Sequence, residues 1–167
     1  MPKTGTLVIA EPTDLKTLQA QIDEQLLDIA SRELGVPRDQ LVVRDARPDE
    51  DFGLSTPEWT VTPAAAGWVT YINKTIDDNK FVAIYGVAAV DADNVTFIRF
   101  SSGAKTLDYW DISQVQAFQD KYKLALTPIF VRQNTQIKIE LYATSTDAIK
   151  LPLYARVVEV KGKTIAP

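Results

Sequence analysis

The densest group of side chains able to do chemistry is the carboxylate run Asp45, Asp49, Glu50 and Asp51. Clustered carboxylates can hold a hard cation such as calcium, which takes oxygen ligands. The spacing here is not that of the twelve-residue calcium loop, and the glycine required at its sixth position is missing. A solvated loop is the favoured reading. Asp91, Asp93 and Asn94 admit the same two readings. A hairpin turn is favoured there, because Asp and Asn tolerate turn dihedrals. Asp108 and Asp111 are the residue types a glycosidase pairs. That chemistry needs a set separation across a cleft, which spacing along the chain does not supply.

Other chemistries are excluded outright. The 167 residues include no cysteine and no histidine. Disulfides, thiolate nucleophiles, Cys/His zinc sites and Ser-His-Asp triads are therefore absent. The seven glycines form no phosphate-cradling GxGxxG or GxxxxGK run. The expectation is a non-enzymatic protein with no catalytic residue, no bound metal and no cofactor.

Aromatic side chains offer a second kind of site. Three tryptophans and six tyrosines could stack on sugar rings, as exposed rings do in carbohydrate-binding modules. Trp59, Tyr71, Tyr85, Tyr109 and Trp110 are the candidates, and a sugar site would need them exposed and coplanar. Aromatics also fill the cores of β-sandwiches, and Trp68 and Trp110 are expected there. Trp59 falls in an irregular stretch and is the better interface anchor, since buried aromatic anchors dominate interface energetics.

The elements that must position these residues change character along the chain. Leu15, Leu18, Ile22, Leu26 and Ile29 recur at helical spacing and predict an amphipathic helix. Pro12 suits its start, and Gly35 with Pro37 its end. The stripe needs a partner surface. Packing on its own domain is the plainer reading, and docking on another molecule the other. Residues 44–67 carry Pro48, Gly53, Pro57, Pro63 and Gly67 without periodicity, and predict an extended arm. The interface candidates are thus Leu15, Leu18, Ile22, Leu26 and Ile29 on the helix, and Phe52 and Trp59 on the arm.

From Trp68 onward, turn signals separate short β-rich runs: 68–76, 81–87, 95–100, 106–112, 129–131, 136–143 and 154–160. Ser113 could cap a helix over residues 114–121. This cadence predicts an antiparallel β-sandwich over 68–167, preceded by helix and arm over 1–67. Charge divides similarly. The overall formal charge is -4, with net -6 in residues 1–60 and net +2 in the remainder. The basic residues of the second part are spread along strands without stacking aromatics, so nucleic acid is not an expected partner. No apolar run approaches the ~20 residues that span a bilayer, and residues 1–5 do not read as a secretory signal.

The stretch from Phe81 onward resembles the β-sandwiches of phage and virus structural proteins. Three segments carry the resemblance: Phe81–Val87, Val95–Gly103 and Val157–Pro167. It implies a jelly-roll-like particle protein, a capsid cement, decoration or accessory component. Such a protein is found in the virion, with capsid or other virion proteins and copies of itself as partners. It has no catalytic residues, and neither nucleic acid nor a membrane is expected. A carbohydrate-binding β-sandwich module is the alternative.

Overall fold

The computed structural model describes residues 7–8, 12–113 and 122–161. The helix expected over 114–121 and the side chain of Leu15 lie outside the described residues. The chain begins with β1 (Leu7–Val8) and α1 (Pro12–Leu34), then a single 3-10 turn (Arg38–Gln40). Next come β2 (Leu41–Asp45), α2 (Pro48–Phe52) and β3 (Thr60–Val61). The long strands follow: β4 (Gly67–Thr75), β5 (Lys80–Ala88), β6 (Val95–Ser102) and β7 (Lys105–Asp111). The rest is β8 (Tyr122–Val131), β9 (Gln136–Ala143), β10 (Ile149–Lys150) and β11 (Leu153–Val160).

Every strand pairing among the described residues is antiparallel. One sheet has the order β1-β8-β5-β11-β2 and the other β4-β9-β6-β7. The pairs nest: β6 with β7, β5 with β8, β4 with β9, β2 with β11. A long hairpin rolled up on itself produces this order, which is that of the jelly roll. The fold is therefore a mainly β, antiparallel sandwich with a helix before it.

Side-chain alternation builds the core between the sheets. Ile137, Ile139 and Leu141 of β9, Ile98 and Phe100 of β6, and Val82 and Ile84 of β5 meet there, almost free of solvent. Trp110 is fully buried among them, and its indole N–H donates to the Asp108 carboxylate at 3.0 Å. Without that acceptor, burying the indole would cost a hydrogen bond. Asp108 is thus a core acceptor, while Asp111 is exposed and accepts from Ser113 at the end of β7. A register shift between Thr70 and Ile72 turns two successive residues inward. Tyr71 is one of them. Its hydroxyl donates to the Leu151 carbonyl at 2.9 Å, and burial pushes its phenol pKa up.

The other face of the five-stranded sheet is covered as well. Ile22, Leu26 and Ala30 of α1 pack onto Phe81, Ala83, Tyr85 and Val158, with Leu18 and Ile29 partly buried beside them. Strand β5 is consequently buried at every residue, which explains its unbroken apolar run. Gly35, in the left-handed conformation at φ 66°, ends the helix where its sequence predicts.

The front segment is a working part of the sandwich. β2 is a strand of the five-stranded sheet, in register with β11 from Asp45↔Arg156 to Leu41↔Val160. No break in the sheet falls at the expected 67/68 boundary. Residues 44–67 contain the end of β2, α2 and β3, where an irregular arm was expected. An ion network fixes them. Arg44 Nη1 and Nη2 donate to the two Asp51 carboxylate oxygens at 2.7 and 2.9 Å, and its Nε donates to Glu159 at 2.9 Å. Lys80 Nζ and the Arg47 N–H also donate to Asp51, at 2.8 and 2.6 Å. Asp51 is therefore neither a solvated nor a metal-holding carboxylate. Its side chain is 0% exposed and surrounded by donors. Burial alone would raise its pKa, but the Arg44 and Lys80 hydrogen bonds outweigh that and hold it below the usual carboxylate range. Phe52 follows it into the core, with its ring 5.5 Å from that of Trp59.

Two outcomes follow. Asp51→Asn leaves Arg44 and Lys80 short of a buried counter-charge and is expected to cost about 3 kcal/mol in urea unfolding. Because the folded pKa of Asp51 is depressed, the wild-type stabilisation is present above about 3.9, the unfolded value. It is lost as pH falls through the lower folded value. The variant should accordingly lose less stability on acidification. An equal loss in both proteins would contradict the network. Ile22→Ala should cost about 3 kcal/mol, independent of protein concentration. A cost that grows with dilution would mean α1 packs on a neighbour instead.

Candidate functional site

With one sheet covered on both sides, the outer face of the four-stranded sheet is left uncovered by the described residues. Strand alternation sends Trp68 of β4, Tyr142 of β9, Phe97 and Arg99 of β6, and Tyr109 of β7 to this side. Trp68 lies directly opposite Tyr142, Tyr142 opposite Phe97, and Arg99 opposite Tyr109. Phe97 and Arg99 share this side by ordinary alternation, and the register shift between Val95 and Phe97 leaves Val95 in the core instead.

The side chains form one cluster running from edge strand to edge strand. The Trp68 ring is 5.3 Å from Tyr142 and 5.9 Å from Tyr109, at interplanar angles of 82° and 68°. Phe97 lies 5.2 Å from Tyr109. The Arg99 guanidinium sits 4.1 Å from the centre of the Trp68 ring. It also donates twice to Glu140 Oε1, at 3.1 and 3.0 Å. Such an exposed cation–π contact is worth about 0.5–1 kcal/mol, and the ion pair a similar amount. The rings are therefore held in place before any partner arrives. Trp68, Tyr109 and Tyr142 nonetheless remain 37%, 38% and 40% exposed.

The sequence-derived candidates lie elsewhere. Ile22, Leu26 and Phe52 are buried inside the molecule. Leu18, Ile29 and Trp59 are partly buried against the same clusters. These six already have an intramolecular partner, because α1 closes the five-stranded sheet and α2 plugs the end of the core. Among the aromatic candidates, Tyr71, Tyr85 and Trp110 are buried, and Tyr109 alone belongs to the open face. Trp68 is exposed where a core residue was expected. It begins its strand on the solvent side, and the bulge at Tyr71 hides that parity. Tyr142 was not among the candidates, although its alternation with Lys138 and Glu140 along β9 places it on the outer face. Among the described residues, no group of three or more carboxylates is placed to hold a metal ion. No described helix is long and apolar enough to cross a membrane.

The site and strand order define a jelly-roll sandwich with an aromatic face on one sheet. No family model matches the chain, and no curated protein matches it. Among solved structures it is similar to the C-terminal CBM6 of LamC, a marine laminarinase from Zobellia galactanivorans. The two share 13% identity and a TM-score of 0.33, over 71% of this chain and 99% of that one. A likeness this loose bears on no residue of the site.

If the cluster is a surface feature, truncating it should barely touch stability. Trp68→Ala and Tyr142→Ala are each expected to cost no more than about 1 kcal/mol. Trp110→Ala should cost about 4 kcal/mol. Urea unfolding of the three variants decides, and a core-sized loss at Trp68 would remove the face as a candidate.

Proposed function

We propose that this protein is a non-enzymatic structural component of a phage or virus particle, a capsid cement, decoration or accessory subunit. It docks on neighbouring particle proteins, copies of itself included, through the open face of its four-stranded sheet. On this reading its location is the virion, and it needs no cofactor, nucleic acid or membrane.

The observation that carries the proposal is the composition of that face. Trp, Tyr and Arg are the residues most enriched among the few that dominate protein–protein binding energy. Here they converge on one patch with their conformations already fixed, which lowers the entropy cost of association. The ring geometry favours a protein over a sugar at this position. Saccharides stack on flat, accessible ring faces. Trp68 instead meets its neighbours edge-on and carries the Arg99 guanidinium over its ring. The jelly-roll order is consistent with the reading, since capsid and lectin domains are both built on it.

The test is sedimentation of the full chain, alone and mixed with any capsid or tail proteins that its genome encodes. Removing residues 1–60 would not serve, because it deletes β2 and α1. The combined Trp68→Ala and Tyr142→Ala variant should keep its fold and weaken association by about tenfold or more. A full-length chain that stays monomeric and ignores those proteins would overturn the reading. So would a double variant that associates like the wild type.

A further inference from the structure

Gln19 of α1 stands over Tyr85 of the five-stranded sheet. There a recess of about 350 Å³ opens against β5 and β11, lined by Gln19, Asp45, Trp59, Tyr85, Leu153 and Tyr154. One irregularity of β5, seen in both of its ladders, lies in it. The ladders on both sides of β5 skip Tyr85, which on the β11 side falls between Tyr154 and Ala155. Bulges re-aim side chains and are common beside binding sites. Here Tyr85 and Tyr154 stack, 5.9 Å apart and only 26° from parallel.

The polar groups around these rings are held rigidly. Arg156 donates to both carboxylate oxygens of Asp23 at 2.9 Å and to Asp45 Oδ1 at 2.7 Å. Gln19 Nε2 donates to the Tyr85 hydroxyl at 3.2 Å. The Asp45 side chain is itself 79% exposed. Two carboxylates against one guanidinium leave this rim with a net charge of -1, which disfavours an anionic ligand.

We propose that this recess is a binding site for a single neutral sugar ring, the terminal residue of a glycan. Such a ring has a C–H face that packs on aromatic carbon. It also has an equatorial girdle of hydroxyls that both donate and accept hydrogen bonds. The recess presents the half-buried Trp59 and Tyr154 rings for the first, with buried Tyr85 backing Tyr154 from behind, and the exposed Asp45 carboxylate and the Gln19 amide for the second. Its volume is at the lower end of the range for small-ligand pockets, about 300–1,000 Å³, which fits one ring better than an extended chain. This goes beyond the docking role. A particle subunit with such a pocket could also attach to a glycan-bearing surface.

The test is an array of neutral glycans probed with the full chain, followed by titration calorimetry on the best binder. Tyr154→Ala and Asp45→Asn each alter a side chain that is not part of the inner core. If one fails to fold, the other still answers, and thermal unfolding reports which are intact. Either folded variant should weaken binding by about tenfold or more. Three results would overturn the proposal: no neutral glycan bound, wild-type affinity in both variants, or binding lost in Trp68→Ala but kept in Tyr154→Ala. The last would put the sugar on the open face.

Discussion

Two-sided burial of the five-stranded sheet governs the rest of the molecule. Every residue of β5 is shielded from water, so both faces of that sheet need a cover. The four-stranded sheet covers one and α1 the other. The helix therefore spends its apolar stripe within the molecule. Strand β2 completes the sheet edge beside β11, and the Arg44–Asp51–Lys80–Glu159 network ties α2 to that edge. A segment that reads as an appendage is in this way bound into the core.

Among the described residues, two aromatic surfaces of different character face other molecules. The open face is broad, with rings set at steep angles around a central Arg99–Glu140 pair, and it suits a contoured protein partner. The recess beside α1 is small and concave. It holds near-parallel rings under a polar rim, and it suits a compact polar ligand. Both are preformed by strand geometry. The first depends on the alternation that puts Phe97 and Arg99 on one side of β6, and the second on the irregularity at Tyr85.

Much of the fold was legible in the sequence. The helix spacing from Leu18 to Ile29, the Gly35 stop and the β-rich run at 136–143 each reflect a local rule, and each was met. The arm was misread because a five-residue helix is too short to display a period. Asp51 looked solvated because Lys80, which buries it from another strand, is 29 residues away. Aromatic exposure was read least well, since it depends on strand parity. One bulge at Tyr71 separates the side of Trp68 from that of Ile72, and nothing local to Trp68 announces it. The cluster itself was not legible, because it joins four strands between Trp68 and Tyr142.

The central claim is that α1 belongs to the fold and the open face to the partner. Hydroxyl-radical footprinting of the full chain, as dilute monomer and in its associated form, tests it most directly. The account predicts that oxidation of Trp68, Tyr109 and Tyr142 falls on association, while side chains of α1 from Gln19 to Leu34 react as before. Protection that appears along α1, with the three rings unchanged, would contradict it.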